Sequence, residues 1–190
     1  MVLTPSTMSE LGTSAPDFAL PATDGRVVRL DDFASASALL VTFICNHCPY
    51  VKHIRAGFVN FARDYQPRGL AIVAINSNDA STHPDDSPEM MKVEADQFGF
   101  NFPYLYDETQ EVAKAYRAAC TPDFFMYDNE QGLAYRGQFD SSRPGNGIPV
   151  TGANLRQAID AILNGEPVRA DQMPSIGCNI KWRPGNEPGW

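Results

Sequence analysis

The sequence predicts an α/β domain in which a mixed central β-sheet carries helices on both faces. Residues 39–44 and 70–75 are continuous apolar runs, typical of strands covered on both sides. The first run is followed by apolar residues at steps of three and four, which indicate one face of a helix. A predicted hairpin late in the chain adds antiparallel strands, so the sheet is expected to be mixed.

The first half of the chain predicts a hairpin followed by a β-α-β-α run. Asp24-Gly25 is a turn signal between two short β segments, and Ser87-Pro88-Glu89 places a cap, a proline and an acid in the order that begins a helix. Residues 1–11 are expected to be a loose arm. The predicted elements are a hairpin at 17–20 and 26–30, strands at 39–44 and 70–75, and helices at 49–66 and 87–98.

The second half predicts shorter elements and a tail. We expect a short strand at 104–106, a helix capped by Thr109, a hairpin at 124–127 and 133–136, and a helix at 155–163 that Gly165 ends. Residues 166–190 are rich in proline and glycine and show little periodicity. The sequence therefore predicts a domain over 12–165 and an irregular tail over 166–190 that packs on it.

Composition excludes several classes of function. The 190 residues suffice for one well-buried domain, and a net charge of −8 argues against nucleic acid or anionic membrane as the main partner. No apolar run reaches the roughly 18 residues of a membrane span. The opening residues have neither a basic stretch nor a long apolar core, so we expect no secretory signal and a cytoplasmic location. In a cytosol, four cysteines indicate redox or metal chemistry rather than structural disulfides.

Cys45 and Cys48 stand where the first core strand leads into the first helix. Unpaired N–H groups and the helix dipole favour an anion at a helix N-terminus, and the anion of a thiol is the thiolate. The pattern Cys45-Asn46-His47-Cys48 therefore predicts a dithiol–disulfide exchange site.

The element order and two motifs resemble the thioredoxin fold. Thr121-Pro122, about seventy-five residues after the cysteine pair, is similar to the loop in which that family has a cis proline facing the cysteines. Residues 12–20 are similar to the start of the redoxin group, the alkyl hydroperoxide reductase and thiol-specific antioxidant proteins. The resemblance covers roughly residues 12–165.

This resemblance implies a thiol–disulfide oxidoreductase that needs no cofactor or metal and acts on protein or small-molecule thiols and disulfides. Cys45 would be the attacking thiolate, and Cys48, expected one turn inside the helix and more buried, would resolve the mixed disulfide. The backbone of Thr121 would bind an extended substrate segment. His47, as a cation beside the thiolate, would make the disulfide more oxidising than the roughly −270 mV of thioredoxin; the alternative is a solvent-facing histidine with little effect.

The chain departs from thioredoxin at two positions. Ile44 stands where thioredoxin has a tryptophan before its first cysteine, and Leu39 stands where it has a buried aspartate that moves protons. We therefore expect the exchange chemistry but not ordinary thioredoxin kinetics.

Cys120 and Cys178 complete the set of four cysteines. A disulfide between them would fix the tail over the active face. The alternative, which we favour, is that both are small buried hydrophobic side chains.

Two other functions remain open from the sequence. A peroxiredoxin-like peroxidase is suggested by the redoxin-like start, and Thr42 matches half of the peroxidatic motif, but Ala38 stands in place of its proline. A copper- or other metal-binding protein could use Cys45, Cys48 and either His47 or His53.

Overall fold

The computed structural model describes residues 3–190 and contains ten strands and four α-helices within them. The strands are β1 (Leu3–Pro5), β2 (Ala19–Pro21), β3 (Val27–Arg29), β4 (Ala38–Phe43), β5 (Leu70–Asn76), β6 (Tyr104–Tyr106), β7 (Cys120–Thr121), β8 (Asp123–Tyr127), β9 (Leu133–Gly137) and β10 (Ile176–Asn179). The helices are α1 (Pro49–Tyr65), α2 (Pro88–Phe98), α3 (Glu111–Tyr116) and α4 (Ala153–Leu163).

The central sheet has five strands in the order β6-β5-β4-β8-β9. β4 is parallel to β5, and β5 is parallel to β6, whereas β8 is antiparallel to both β4 and β9. The sheet is therefore mixed, as the sequence predicts. β4 lies at its centre, so the residues that follow β4 emerge from the middle of the molecule.

Each face of the sheet has its own hydrophobic core. Leu40 and Ile72 point to one face and pack with the buried sides of α1, α2 and α4. Val41 and Val73, one residue further along each strand, point to the other face and pack with α3 and the β2–β3 hairpin. This alternation follows from the two-residue period of a strand. Helices thus cover both faces, which confirms the predicted fold class.

The N-terminus of α1 is set by the sequence itself. Cys48 is the N-cap residue, and Pro49 takes the first helical position, where its missing N–H costs nothing. Ile54, Phe58 and Phe61 then form the buried stripe that fixes the helix against the sheet. The β4–α1 junction consequently holds the cysteine pair at the end of the central strand.

A second sheet corrects the predictions for both ends of the chain. Residues 3–5 form β1 rather than a loose arm, and residues 176–179 form β10 within a tail predicted to be irregular. Their order is β1-β10-β7, all antiparallel. Such short strands carry no readable periodicity, because their hydrogen bonds come from partners more than fifty residues away in sequence. Among residues 3–190, no helix has the length and apolarity that crossing a membrane requires.

Candidate active site

The two motifs singled out in the sequence meet at the end of β4. Cys45 Sγ lies 3.3 Å from Thr121 Oγ1, and Cys48 Sγ lies 3.2 Å from the carbonyl oxygen of Thr121. The Thr121–Pro122 peptide bond is cis, as the resemblance implies. One threonine therefore contacts both sulfurs, through its hydroxyl at Cys45 and its carbonyl at Cys48.

Both cysteines of the pair are enclosed. Cys45 is 1% exposed and Cys48 0%. The two thiols are buried almost equally, so the expected difference in burial between Cys45 and Cys48 is very small in this closed arrangement. The expectation that Cys48 lies one turn inside α1 is wrong, because the helix begins at Pro49 and Cys48 is its N-cap.

Burial and hydrogen bonding shift the pKa values of the two thiols in opposite directions. Burial raises the pKa of the Cys45 thiol well above its ordinary value, and the nearby Cys48 and Asp86 act in the same direction. The hydrogen bond from Cys45 lowers the pKa of Cys48 to about 5, although burial opposes this shift. The closed site thus places the negative charge on Cys48, contrary to the thiolate expected at Cys45. The hydroxyl of Thr121 acts the other way by lowering the pKa of Cys45.

A buried carboxylate lies directly beneath the loop between the cysteines. Asp86 has no exposed surface, and its Oδ2 lies 2.5 Å from His47 Nδ1. Its Oδ1 accepts a 2.7 Å hydrogen bond from the backbone N–H of Asn46, and Oδ2 also accepts from Asn78 Nδ2 at 2.8 Å. Burial raises the pKa of this carboxyl, but the hydrogen bonds from His47 and Asn78 outweigh it and lower the pKa. Asp86 therefore anchors the loop and holds His47.

Sequence reasoning missed the position of Asp86. Asp85-Asp86 indicates only an acidic, solvated helix start, and the exposed Asp85 fits that reading. His83, three residues before Asp86, stacks on His47 with ring centroids 5.0 Å apart. A polar residue that is buried because a distant loop folds over it leaves no local signal.

Comparison with known proteins identifies the family of this chain. A model of the AhpC/TSA family matches residues 11–139, which is more than half of the chain. The chain belongs to the AhpC/TSA family. It is 28% identical over 131 residues to thiol-disulfide oxidoreductase ResA of Geobacillus thermodenitrificans, an alignment that covers 66% of this chain and 67% of ResA.

Solved structures share the fold of this AhpC/TSA-family chain. A conserved protein of Geobacillus kaustophilus, described as uncharacterized, superposes with a TM-score of 0.96 and 58% identity, covering 97% of this chain and 98% of that protein. Peroxidoxin BcpB of Mycobacterium tuberculosis superposes with a TM-score of 0.61 at 18% identity, covering 84% of this chain and 98% of BcpB, which shows the fold alone.

Thr42, the matching half of the peroxidatic motif, does not face the cysteines of this AhpC/TSA-family site. Its hydroxyl donates a 2.9 Å hydrogen bond to the carbonyl oxygen of Asp123 on the neighbouring strand β8. The hydroxyl that contacts Cys45 belongs to Thr121 instead.

Cys178 lies against the pair, and Cys120 does not take the position expected for a second disulfide. Cys178 Sγ is 2.8 Å from Cys48 Sγ. In the β7–β10 ladder Cys178 stands opposite Thr121, whereas Cys120 stands opposite Asn179. The Cys120 thiol points to the carbonyl oxygen of Pro122, 3.7 Å away. All four cysteines are buried free thiols, and the thiol that Cys178 contacts is that of Cys48.

The edge of Thr121 that was expected to bind a substrate segment is covered by the chain itself. β10 pairs antiparallel with β7 along this edge, with Cys178 opposite Thr121. The prediction of strand addition by a partner at Thr121 is therefore wrong for the structure as it stands, because the tail already supplies that strand.

One group of side chains has the composition of a metal site. Ligand atoms of Cys45, His47 and Asp86 lie within 4.8 Å of one another. Both oxygens of Asp86 are already hydrogen-bonded to protein groups, and His47 Nδ1 is one of them. His53, the other histidine considered as a ligand, contacts Ser142 Oγ through Nε2 at 2.7 Å. The carboxylate thus fits the anchor of a loop better than a metal ligand.

Proposed function

We propose that the protein is a thiol–disulfide oxidoreductase that cycles Cys45 and Cys48 between dithiol and disulfide. The observation that carries the proposal is the shared contact of both sulfurs with Thr121 at the cis Thr121–Pro122 bond. Membership of the AhpC/TSA family and the similarity to ResA support it.

Thr121 supports Cys45 as the nucleophile once the site opens. Burial is the main cause of the raised pKa of Cys45, so access of solvent or of a partner removes the main obstacle to its thiolate. The Thr121 hydroxyl then stabilises the sulfur anion of Cys45. The proton passes to Cys48 Sγ, and the resulting thiol donates a hydrogen bond to the Thr121 carbonyl oxygen. In this scheme Cys48 acts as the base that activates its neighbour.

The exchange follows the usual two steps. The Cys45 thiolate attacks one sulfur of a partner disulfide, which breaks the S–S bond and releases the other sulfur as a thiolate. Cys48, deprotonated, then attacks the Cys45 sulfur of the mixed disulfide. A Cys45–Cys48 disulfide forms, and the partner leaves with its second sulfur reduced. The partners are protein or small-molecule disulfides, and the reverse sequence oxidises a dithiol.

His47 shapes the potential of this couple through Asp86. Without His47 the negative charge of Asp86 would face the pair uncompensated and disfavour a thiolate. Loss of His47 should thus destabilise the reduced form and lower the reduction potential, which keeps the direction that the sequence predicts. Titration of wild type and His47→Ala against glutathione measures this shift.

The test of the function is the reduction of a protein disulfide with dithiothreitol as electron source. We expect turnover by the wild type, loss in Cys45→Ser, and a covalent adduct between Cys45 and the partner in Cys48→Ser. Cys120→Ser is the matched control, because Cys120 is equally buried but faces Pro122. Turnover that survives in Cys45→Ser contradicts the proposal.

A peroxidase is the second candidate, because family membership and the fold shared with peroxidoxin BcpB are compatible with it. Steady consumption of hydrogen peroxide that requires Cys45 and exceeds disulfide turnover would favour it. The position of Thr42, which is bonded to β8, favours disulfide exchange.

A further inference from the structure

β10 is built into the fold beside the cysteine pair. Its backbone pairs with β7 on one side and with β1 on the other, and the following Ile180 N–H donates to the carbonyl oxygen of Ala119 at 3.1 Å. Before the strand, Ser175 Oγ donates to the carbonyl oxygen of Gly137 at 2.8 Å. The strand is therefore hydrogen-bonded into the fold along both of its edges.

Gly177 allows the strand to approach unusually closely. A Cβ atom at this position would lie 2.0 Å from the carbonyl oxygen of Thr121 and 3.2 Å from Cδ of Pro122. Any other residue would push β10 away from the cis-proline loop. The close approach places the next residue, Cys178, over Cys48, with the two sulfurs 2.8 Å apart.

We propose that Cys178 is a third redox cysteine, which exchanges with the active pair to form a Cys48–Cys178 disulfide. The inference rests on the Cys45–Cys48 exchange proposed above. Cys178 Sγ attacks Cys48 Sγ in the Cys45–Cys48 disulfide and gives up its thiol proton. The Cys48–Cys178 bond forms, the Cys45–Cys48 bond breaks, and the leaving Cys45 sulfur takes that proton and becomes a free thiol. The step moves one disulfide without net oxidation, so it needs no reactant beyond the Cys45–Cys48 disulfide.

The position of β10 explains why the thiol that exchanges with the pair belongs to the same chain. The strand occupies the edge of Thr121 that an extended substrate segment would use in strand addition. It presents its own cysteine to the pair as such a substrate would. The exchange leaves Cys45 free to attack a second partner while the chain still holds one disulfide.

The first test removes Cys45. Cys45→Ser is oxidised with diamide, its remaining free thiols are blocked with N-ethylmaleimide, and it is digested with trypsin. Cys48 lies in peptide 30–52, Cys178 in peptide 170–181 and Cys120 in peptide 118–136, so each pairing joins a different pair of peptides. We expect 30–52 joined to 170–181 as the main product, and the same product in Cys45→Ser with Cys120→Ser. Its absence would overturn the proposal.

The second test follows the exchange in the wild type, so it does not depend on the folding of a variant. The protein is oxidised with oxidised glutathione, quenched in acid, blocked and digested. We expect two species, one with the disulfide inside peptide 30–52 and one with Cys48 joined to Cys178 and Cys45 alkylated. If the protein contains only the Cys45–Cys48 disulfide and Cys178 is always alkylated, the exchange with Cys178 is contradicted but the proposed function is not. A protein that glutathione leaves fully reduced defeats the proposed function and the exchange with it.

Discussion

Asp86 sets the charge of the loop between Cys45 and Cys48. It is buried, it accepts hydrogen bonds from the loop backbone and from Asn78, and it contacts His47. Its negative charge raises the pKa of Cys45, after burial and the contact with Cys48. One carboxylate thus stabilises the fold of the active loop and restrains the reactivity of the sulfur beside it.

Replacing Asp86 should increase the reactivity of Cys45. In Asp86→Asn the negative charge is gone, so the pKa of Cys45 falls and its alkylation by iodoacetamide accelerates at a given pH. Loss of the charged hydrogen bonds should also lower the free energy of unfolding by about 1.5–3 kcal/mol. Asp85→Asn is the matched control, since Asp85 is exposed. Equal alkylation rates in both variants would show that Asp86 acts only as an anchor.

Asp123 is a second buried carboxyl, directly after the cis proline. Burial raises its pKa to about 7, and its Oδ2 has no hydrogen-bond partner among residues 3–190. The folded protein therefore holds a proton that the unfolded chain, with an ordinary value of 3.8, releases earlier. The stabilising contribution of this group is complete below pH 3.8 and is lost as the pH rises through about 7.

Asp123→Asn should remove this dependence. We expect the difference in unfolding free energy between the variant and the wild type to shift in favour of the variant by up to about 1.4 kcal/mol per pH unit within that window. Urea unfolding across pH measures it. Cys48, whose lowered pKa makes stability rise with pH between about 5 and 9.0, contributes equally to both proteins and cancels. The exposed Asp31→Asn serves as control, and parallel curves for wild type and Asp123→Asn would refute the assignment.

At the scale of elements, β10 restricts access to the edge of Thr121 beside the cysteines. It pairs with β7 at Thr121, and its close approach depends on the absence of a side chain at Gly177. The strand covers the edge of Thr121 and places Cys178 against Cys48.

Gly177→Ala tests this element. The added methyl group would meet the carbonyl oxygen of Thr121 at 2.0 Å, so the strand must shift. We expect a loss of about 1–3 kcal/mol in unfolding free energy, less Cys48–Cys178 disulfide on oxidation, and faster native-state alkylation of Cys45 and Cys48. Gly189→Ala, where a Cβ meets nothing within 4 Å, should behave as the wild type. A Gly177→Ala protein with unchanged stability and disulfide pattern would contradict the role of the close approach.

At the scale of the whole molecule, the enclosed pair makes reactivity a matter of local opening. Both sulfurs are buried, with Thr121 against each of them and Cys178 of β10 against Cys48, so labelling of the native protein should require a partial unfolding. We expect low urea to accelerate alkylation of Cys45 and Cys48 with a denaturant slope well below that of global unfolding, because only a small surface is exposed. Mass spectrometry of the alkylated protein gives the labelling rate of each cysteine, and its dependence on urea concentration gives the slope. A slope equal to the global value would mean that the tail does not open independently of the domain.

The central sheet and its helices could be predicted because their signals are local. Residues 39–44 and 70–75 are buried on both faces, and the period of α1 marks its inner side. The positions of Asp86 and Cys178 could not be predicted in the same way. Each depends on a contact between residues distant in sequence, Asp86 with His47 across 39 residues and Cys178 with Cys48 across 130. The enclosure of Cys45 depends in the same way on Thr121, which lies 76 residues away in sequence.

Leu3 stands directly opposite Cys178 in the β1–β10 ladder. The first described residues of the chain therefore pair with the strand that carries Cys178. A purification tag or fusion partner joined ahead of Leu3 would act on β1, which is hydrogen-bonded to the strand that carries Cys178. Redox measurements on tagged and cleaved protein should consequently be compared before either is taken to describe the native enzyme.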